Sequence, residues 1–211
     1  MMFKNIKIFI CMTLLTLMSG GSYAQDTSLL DKVYDKMSSS CVDMSYSYTV
    51  SVSGTKNHGD GVIALQDRMW KLKGNGLEMY CDASTLWVVD PSAKEVMIEP
   101  AASSEEIDAF TNPAVIFSDL QKLFEVRSSV PSDDGRERIF ILKPKSALEV
   151  EYVNVSISKD SAEIKGIEVA LSDGSLIKIK VSSMEPTPLC PIAYFRPEMK
   201  FDSSWIVTDM R

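Results

Sequence analysis

From Thr27 to Ser39 the apolar positions Leu29, Leu30, Val33, Tyr34 and Met37 recur at helical spacing, with Asp31, Lys32, Asp35 and Lys36 on the other face. This spacing predicts an amphipathic helix that lays one stripe on a partner surface. The period then drops to two. Met44, Tyr46, Tyr48, Val50 and Val52 alternate with Ser45, Ser47, Thr49, Ser51 and Ser53, which predicts a half-buried strand. A turn is expected from Gly54 to Gly61, then strands at residues 62–65, 69–73, 77–82, 86–90 and 95–99. Between them stand Gln66-Asp67-Arg68, Gly74-Asn75-Gly76, Ala83-Ser84-Thr85 and Pro91-Ser92-Ala93-Lys94, each with turn chemistry. Strands so closely spaced make an antiparallel meander, not strand–helix–strand units.

Ser103-Ser104-Glu105-Glu106 breaks this pattern with hydroxyls ahead of acids, the chemistry of a helix start. A short helix is expected through Phe110. Asn112-Pro113 opens a second, to about Leu123, since Asn caps well and Pro suits the first helical turn. Strands resume at residues 125–130, 138–143, 150–158, 163–171 and 175–184, with hairpin turns at Lys159-Asp160 and Ser172-Asp173-Gly174. Residues 184–197 hold four prolines and are expected to be irregular, and residues 204–208 offer a last strand. Open twisted sheets rarely exceed ~10 strands without curling. The expected fold is therefore mainly β with some α: an incomplete, half-open antiparallel β-barrel of about eleven strands, with an N-terminal helix and a short helical lid.

Ahead of the first helix, Met1 to Lys7 carries Lys4 and Lys7 and no acid, and an apolar run follows from Ile8 to Met18. Ser22-Tyr23-Ala24 then places small residues at the −3 and −1 positions before Gln25. The pattern is that of a secretory signal peptide cleaved after Ala24, and its apolar run is too short to span a bilayer. Residues 25–211 are expected to form a single exported domain. Cys11 does not make a lipoprotein signal, because Phe9 and Ile10 precede it and the apolar run continues beyond it. A net charge of −7, from 22 basic and 29 acidic residues, argues against a nucleic-acid binder and against a polybasic membrane patch.

Beyond the leader, Cys41, Cys81 and Cys190 fit no zinc spacing, and export favours disulfides over metal. One bridge of undetermined pairing is expected. Cys41 and Cys81 fall at one end of the sheet but three strands apart, too far unless curvature closes the gap. Cys190, in the proline-rich segment, is the alternative partner for either. His58 is the only histidine, which excludes a His-rich metal site. Its setting, Lys56-Asn57-His58-Gly59-Asp60, reads as a solvated hairpin tip. Asp133-Asp134-Gly135 lacks the rest of a calcium loop and reads as a turn. The nucleophile elbow, phosphate loop, dinucleotide turn and zinc-protease helix are all missing from the sequence. No catalytic set, metal or cofactor is expected. What stands out is the apolar content: twelve Met, three Trp, seven Tyr and eight Phe. Much of it is ordinary core. A barrel of this strand number is nevertheless wider than side chains alone fill, so an apolar cavity for a lipid or acyl ligand is expected.

The segment from Asp82 to Pro91, Asp-Ala-Ser-Thr-Leu-Trp-Val-Val-Asp-Pro, resembles the Asp-Gly-x-Thr-x-Trp signature of the LolA family of periplasmic lipoprotein carriers. The order of elements is similar too: a leading helix, Gly59-Asp60-Gly61, Lys94-Glu95-Val96, a helical insertion with Asn112-Pro113, Leu142-Lys143-Pro144-Lys145, and Phe195-Arg196-Pro197. The ending Val207-Thr208-Asp209-Met210-Arg211 resembles carriers of the Bacteroidetes branch. The resemblance implies a monomeric periplasmic carrier, not an enzyme, that shields the acyl chains of lipoproteins in an apolar barrel and moves them from the inner to the outer membrane. It implies as partners acylated lipoproteins, an inner-membrane lipoprotein-releasing ABC transporter and an outer-membrane acceptor. The cavity candidates are Tyr46, Tyr48, Trp70, Leu72, Met79, Trp87, Val89 and Val96, with Ile107, Phe110, Ile116 and Leu120 from the insertion.

Two departures stand out. The family's glycine after the aspartate is Ala83, so the turn is expected to adopt a conformation alanine tolerates. Well-studied carriers also place Arg-Pro before an aromatic residue between the second and third strands. This chain has Gln66-Asp67-Arg68-Met69-Trp70 there, leaving Arg68 as the candidate lid latch. The competing reading is a periplasmic lipid- or lipoprotein-sensing regulator of the same fold. Such regulators usually carry a second domain, for which this length leaves little room. A membrane-anchored acceptor would need a lipoprotein signal, and a secreted hydrolase a nucleophile–base pair.

Overall fold

The computed structural model describes residues 23–101, 123–145 and 149–211. Helix α1 (Tyr23–Ser39) turns Leu30, Val33 and Met37 into the core. Its last turn is capped by a serine run: the Ser38 and Ser39 hydroxyls donate to Asp35 O, and Ser40 to Lys36 O. Twelve strands follow: β1 (Cys41–Val52), β2 (Thr55–Gln66), β3 (Met69–Gly74), β4 (Leu77–Asp82), β5 (Thr85–Asp90), β6 (Glu95–Pro100), β7 (Phe124–Pro131), β8 (Glu137–Pro144), β9 (Val150–Ser158), β10 (Ile164–Leu171), β11 (Leu176–Thr187) and β12 (Ile206–Asp209).

They form one open sheet in the order β12-β6-β5-β4-β3-β2-β1-β11-β10-β9-β8-β7. This is the expected half-barrel, with one more strand than anticipated. The chain closes in the middle, where β1 pairs with β11, while β6 and β7 sit toward opposite edges. A bulge at Ser45/Tyr46 bends that central pair. The main core lies on the concave side, where α1 meets Val42, Met44, Ile63, Leu65, Trp70, Phe140, Val155 and Ile167.

Several expectations need correction. The stretch Gly54 to Gly61 is not a turn. The chain reverses at Ser53-Gly54, both with positive φ (48° and 85°), and residues 55–61 run as strand. His58 therefore sits opposite Thr49 within the ladder, its Nδ1 3.0 Å from Thr49 Oγ1, and not at a hairpin tip. The polar residues and glycines there carry no apolar alternation, so periodicity does not mark a strand held by its partner. Residues 184–187 extend β11, and a short 3-10 helix spans Ile192–Phe195 within the segment expected to be irregular. The final strand runs parallel to β6, not antiparallel.

Candidate functional site

Strand alternation and register decide which side chains meet on the concave face. On β1, Met44, Tyr46 and Tyr48 point the same way, opposite Ile63, Gly61 and Gly59 of β2. The face continues through Trp70 and Leu72, then Cys81, Met79 and Leu77, then Leu86 and Val88, then Met97. On the other side of β1 it takes in Val181, Ile179 and Ile177 of β11. Burial falls steadily along these strands away from α1. Cys81 is buried, Met79 half-buried and Leu77 40% exposed; Trp70 is buried and Leu72 half-buried. Met97, on β6, is 36% exposed. The outcome is an apolar surface that begins as core and ends open.

Its floor is shaped by glycines. A Cβ on Gly61 would stand 2.8 Å from Lys73 O and 2.9 Å from the Tyr46 hydroxyl, and one on Gly59 2.6 Å from the Tyr48 ring. The two tyrosines thus lie across bare β2 backbone, with ring centroids 6.4 Å apart. Asn75 Nδ2 donates to the Tyr48 hydroxyl. Burial, then the neighbouring Tyr48 and Asp60, push the Tyr46 phenol above its usual range, so it stays neutral. Glu95 and Glu99 flank Met97 on this side of β6, and Asp90 stands opposite Glu95.

The convex face is covered differently. Tyr80, Val89, Val96 and Ile98, with Trp87, pack beneath Met199, Phe201 and Trp205 of the C-terminal segment. Nearer α1's end of the sheet, Cys41, Ala64 and Phe195 gather Met69, Cys190 and Tyr194. Lys71 Nζ stands 3.2 Å above the Tyr194 ring. Asp82 ties this cover down: its Oδ2 accepts from Arg196 Nε at 2.7 Å, and its Oδ1 from Ser84 N, Ser84 Oγ and Thr85 N. Two segments that each resemble the carrier signature, Asp82–Pro91 and Phe195-Arg196-Pro197, thus meet in space. Ala83, between the bonded residues, has φ +74°, so the turn does not adopt a conformation that suits alanine.

The anticipated cavity residues therefore divide. Tyr46, Tyr48, Leu72 and Met79 share the concave face, and Trp70 lies beneath it, fully buried. Trp87, Val89 and Val96 are on the convex face under the C-terminal cover. The reason is register: Trp87 stands opposite Tyr80, whose neighbours Met79 and Cys81 point the other way. Arg68 is exposed in the β2–β3 turn, at the end of the sheet where the chain leaves β6 through Ala101, which bonds to Ser84 O. Ile107, Phe110, Ile116 and Leu120 lie outside the described residues, as does the leader up to Gly21 and Ser22. Leu77, Val88, Met97, Ile177 and Ile179 were not anticipated. Extending the alternation from Met79 would have found Leu77, and Ile-Lys-Ile-Lys-Val at 177–181 carries its own twofold signal.

Cys41, Cys81 and Cys190 are free thiols in this structure. An open groove of about 720 Å3 crosses β1–β3, lined by Ser45, Ser47, Asp60, Lys73 and Asn75 together with Tyr46 and Val62. Among the described residues no cluster of His, Cys, Asp and Glu could hold a metal ion, and no helix is long and apolar enough to cross a membrane.

A bent open sheet, partly covered on its convex side by its own tail and apolar on its concave side, defines a half-open β-barrel of the carrier type. The chain belongs to the outer membrane lipoprotein carrier protein LolA family, whose profile matches residues 71–197. No curated protein matches it. Among solved structures, a conserved protein from Thermus thermophilus superposes with TM-score 0.55 at 11% identity, covering 88% of this chain and 99% of that one. A LolA superfamily protein from Nitrosomonas europaea gives TM-score 0.45 at 11% identity, covering 82% and 97%.

Proposed function

We propose that the protein is a periplasmic carrier that shields the acyl chains of lipoproteins and moves them from the inner to the outer membrane. The observation that carries this reading is the concave strip from Tyr46 through Leu72 and Met79 to Val88 and Met97, apolar and only partly covered. Each acyl methylene removed from water is worth about 0.8 kcal/mol, so a multiply acylated anchor does not cross water unaided. A surface graded from core to open accepts such chains without a preformed closed pocket. It binds them with intermediate affinity and gives them up to a more apolar acceptor. In this reading Ile107, Phe110, Ile116 and Leu120 contribute the lid's apolar side, with Arg68 as its latch. The leader directs export, and the partners are a lipoprotein-releasing ABC transporter and an outer-membrane acceptor.

The test compares faces. Met79→Asp puts a charge in the strip, whereas Val62→Asp alters a convex residue that is 51% exposed. Losing one apolar contact of this size costs about 1.5–3 kcal/mol. Met79→Asp should therefore weaken binding of a fluorescent fatty acid or a triacylated lipopeptide at least tenfold, with Val62→Asp unchanged. Equal binding by both variants, or normal lipoprotein sorting in a deletion strain, would refute the proposal.

A further inference from the structure

Cys41 and Cys190 are brought together by the sheet itself. Cys41 opens β1 facing the convex side and is fully buried. Its ladder partner on β11 is Thr187, whose Oγ1 donates to Cys41 O at 3.1 Å. Three residues on, the backbone of Cys190 is gripped at both polar atoms by one side chain. Gln66 Nε2 donates to Cys190 O at 3.1 Å, and Gln66 Oε1 accepts from Cys190 N at 2.7 Å. Gln66 ends β2, and the pairing of Val42 with Leu65 puts it beside Cys41. Both sheet neighbours of Cys41 thus hold the loop that carries Cys190. Pro188 and Pro191 narrow the backbone freedom on either side of it. The two cysteines share one apolar cluster with Ala64 and Phe195.

We propose that Cys41 and Cys190 are a disulfide-forming pair, a redox modification site that ties the proline-rich segment to the first strand on the convex face. Cys81 is not part of it. That thiol lies on the concave face in the main core, next to Trp70 and directed at Arg68 O. The bond forms by thiol–disulfide exchange with an external disulfide, supplied by a dithiol oxidoreductase or by oxidised glutathione. Cys190, partly exposed, loses its proton, and its thiolate attacks one sulfur of the reagent, releasing the other as a thiolate. Cys41 then loses its proton and displaces the reagent's remaining sulfur, leaving an Sγ–Sγ bond. The two protons end on the reagent's thiols; the protein pair gives up two electrons and the reagent disulfide gains them. This order follows from access and acidity. Burial, then the bond to Cys190, pushes the Cys41 thiol up to about 12, making it the poorer nucleophile and its displacement the slow step.

In the cell the bond needs the oxidising compartment of the carrier reading. The experiment supplies the oxidant and reads no acyl binding, so the two proposals fail separately. Residues 25–211 are purified reduced, incubated with oxidised glutathione, quenched in acid, denatured and alkylated. The expected result is a fall from three reactive thiols to one, a mass lower by two hydrogens, and a non-reduced peptide joining Cys41 to Cys190. Cys81→Ser should then leave no reactive thiol, while Cys41→Ser should form no internal bridge. Three surviving thiols, a bridge that includes Cys81, or a glutathione adduct persisting on Cys190 beside a free Cys41 would overturn the proposal.

Discussion

Replacing Arg196 with Met tests whether the C-terminal cover is held by charge or by packing alone. The Asp82 side chain is 2% exposed and accepts four hydrogen bonds: from Ser84 N, Ser84 Oγ and Thr85 N at Oδ1, and from Arg196 Nε at Oδ2. Arg196→Met keeps much of the aliphatic packing and strips Oδ2 of that donor. A bond to a charged group contributes about 1.5–3 kcal/mol. Arg196 is 49% exposed, so water screens the pair and the loss should be about 1–2 kcal/mol. Asp82→Ala also strands the amides of Ser84 and Thr85 and should cost about 3–4 kcal/mol. The double variant should be little worse than Asp82→Ala, giving a coupling of about 1–2 kcal/mol in urea unfolding of residues 25–211. Acidity gives an independent check. Burial pushes the Asp82 carboxyl up, but the bonds from Ser84, Thr85 and Arg196 outweigh it and hold the group below its ordinary 3.8. A folded value below the unfolded one means that Asp82 stabilises fully above that ordinary value and stops doing so as pH falls through the folded value. The Arg196→Met deficit should therefore be present near neutral pH and shrink below about pH 4. A deficit that does not change with pH, or a coupling under about 0.3 kcal/mol, would refute this account.

Two further outcomes follow from backbone geometry. Ala83 holds φ +74° beside these bonds. Left-handed backbone costs an L-residue about 1–2 kcal/mol and glycine's extra unfolded freedom returns about 0.4–1, so Ala83→Gly should raise stability by about 0.5–1 kcal/mol, read as a higher urea midpoint at unchanged slope. Gly61→Ala should cost about 1–3 kcal/mol, because its Cβ meets backbone, Lys73 O at 2.8 Å. Gly59→Ala should cost less in the same assay, since the obstacles there are the movable Tyr48 ring and Asn75 amide.

Much of the sheet was legible because its apolar positions alternate. Tyr46, Tyr48, Leu72 and Met79 were placed on one face by a period of two, and α1 by its 3.6-residue stripe. Two kinds of information were not local. The first is register. Trp87, Val89 and Val96 alternate just as convincingly as Leu86 and Val88, and a strand apolar on both sides does not say which side faces in. Only the pairing of Trp87 with Tyr80 decides it. The second is partner dependence. Residues 55–61, Thr-Lys-Asn-His-Gly-Asp-Gly, form strand because β1 supplies eleven paired positions along β2 and because Gly59 and Gly61 leave room for its tyrosine rings. Bare strand backbone next to aromatics is a joint property of two strands and is invisible in either one alone. The Asp82–Arg196 contact is of the same kind, since nothing in either segment marks the other as its partner.

The two faces also explain why the C-terminal segment is built as it is. A central sheet with apolar residues on both sides must cover both or leave one wet. Here the apolar convex residues of β4–β6, with Cys41 and Ala64, are covered by the chain's own tail, through Phe195, Met199, Phe201 and Trp205, anchored at Asp82. On the concave side Leu77 and Met97 stay exposed. Closing it equally well with α1 would make the molecule more stable, but α1 packs against the core end of the strands while Leu77 and Met97 stay exposed beyond it. Among the described residues, cover of the concave face therefore ends where the helix ends. Helix and sheet set the size of the exposed strip independently of the tail. A substitution in the tail, such as Arg196→Met, should thus lower stability and leave the affinity of the folded fraction for an acyl probe unchanged, whereas Met79→Asp should lower that affinity. A tail variant that loses affinity in proportion to its stability would show that the two faces are not separable.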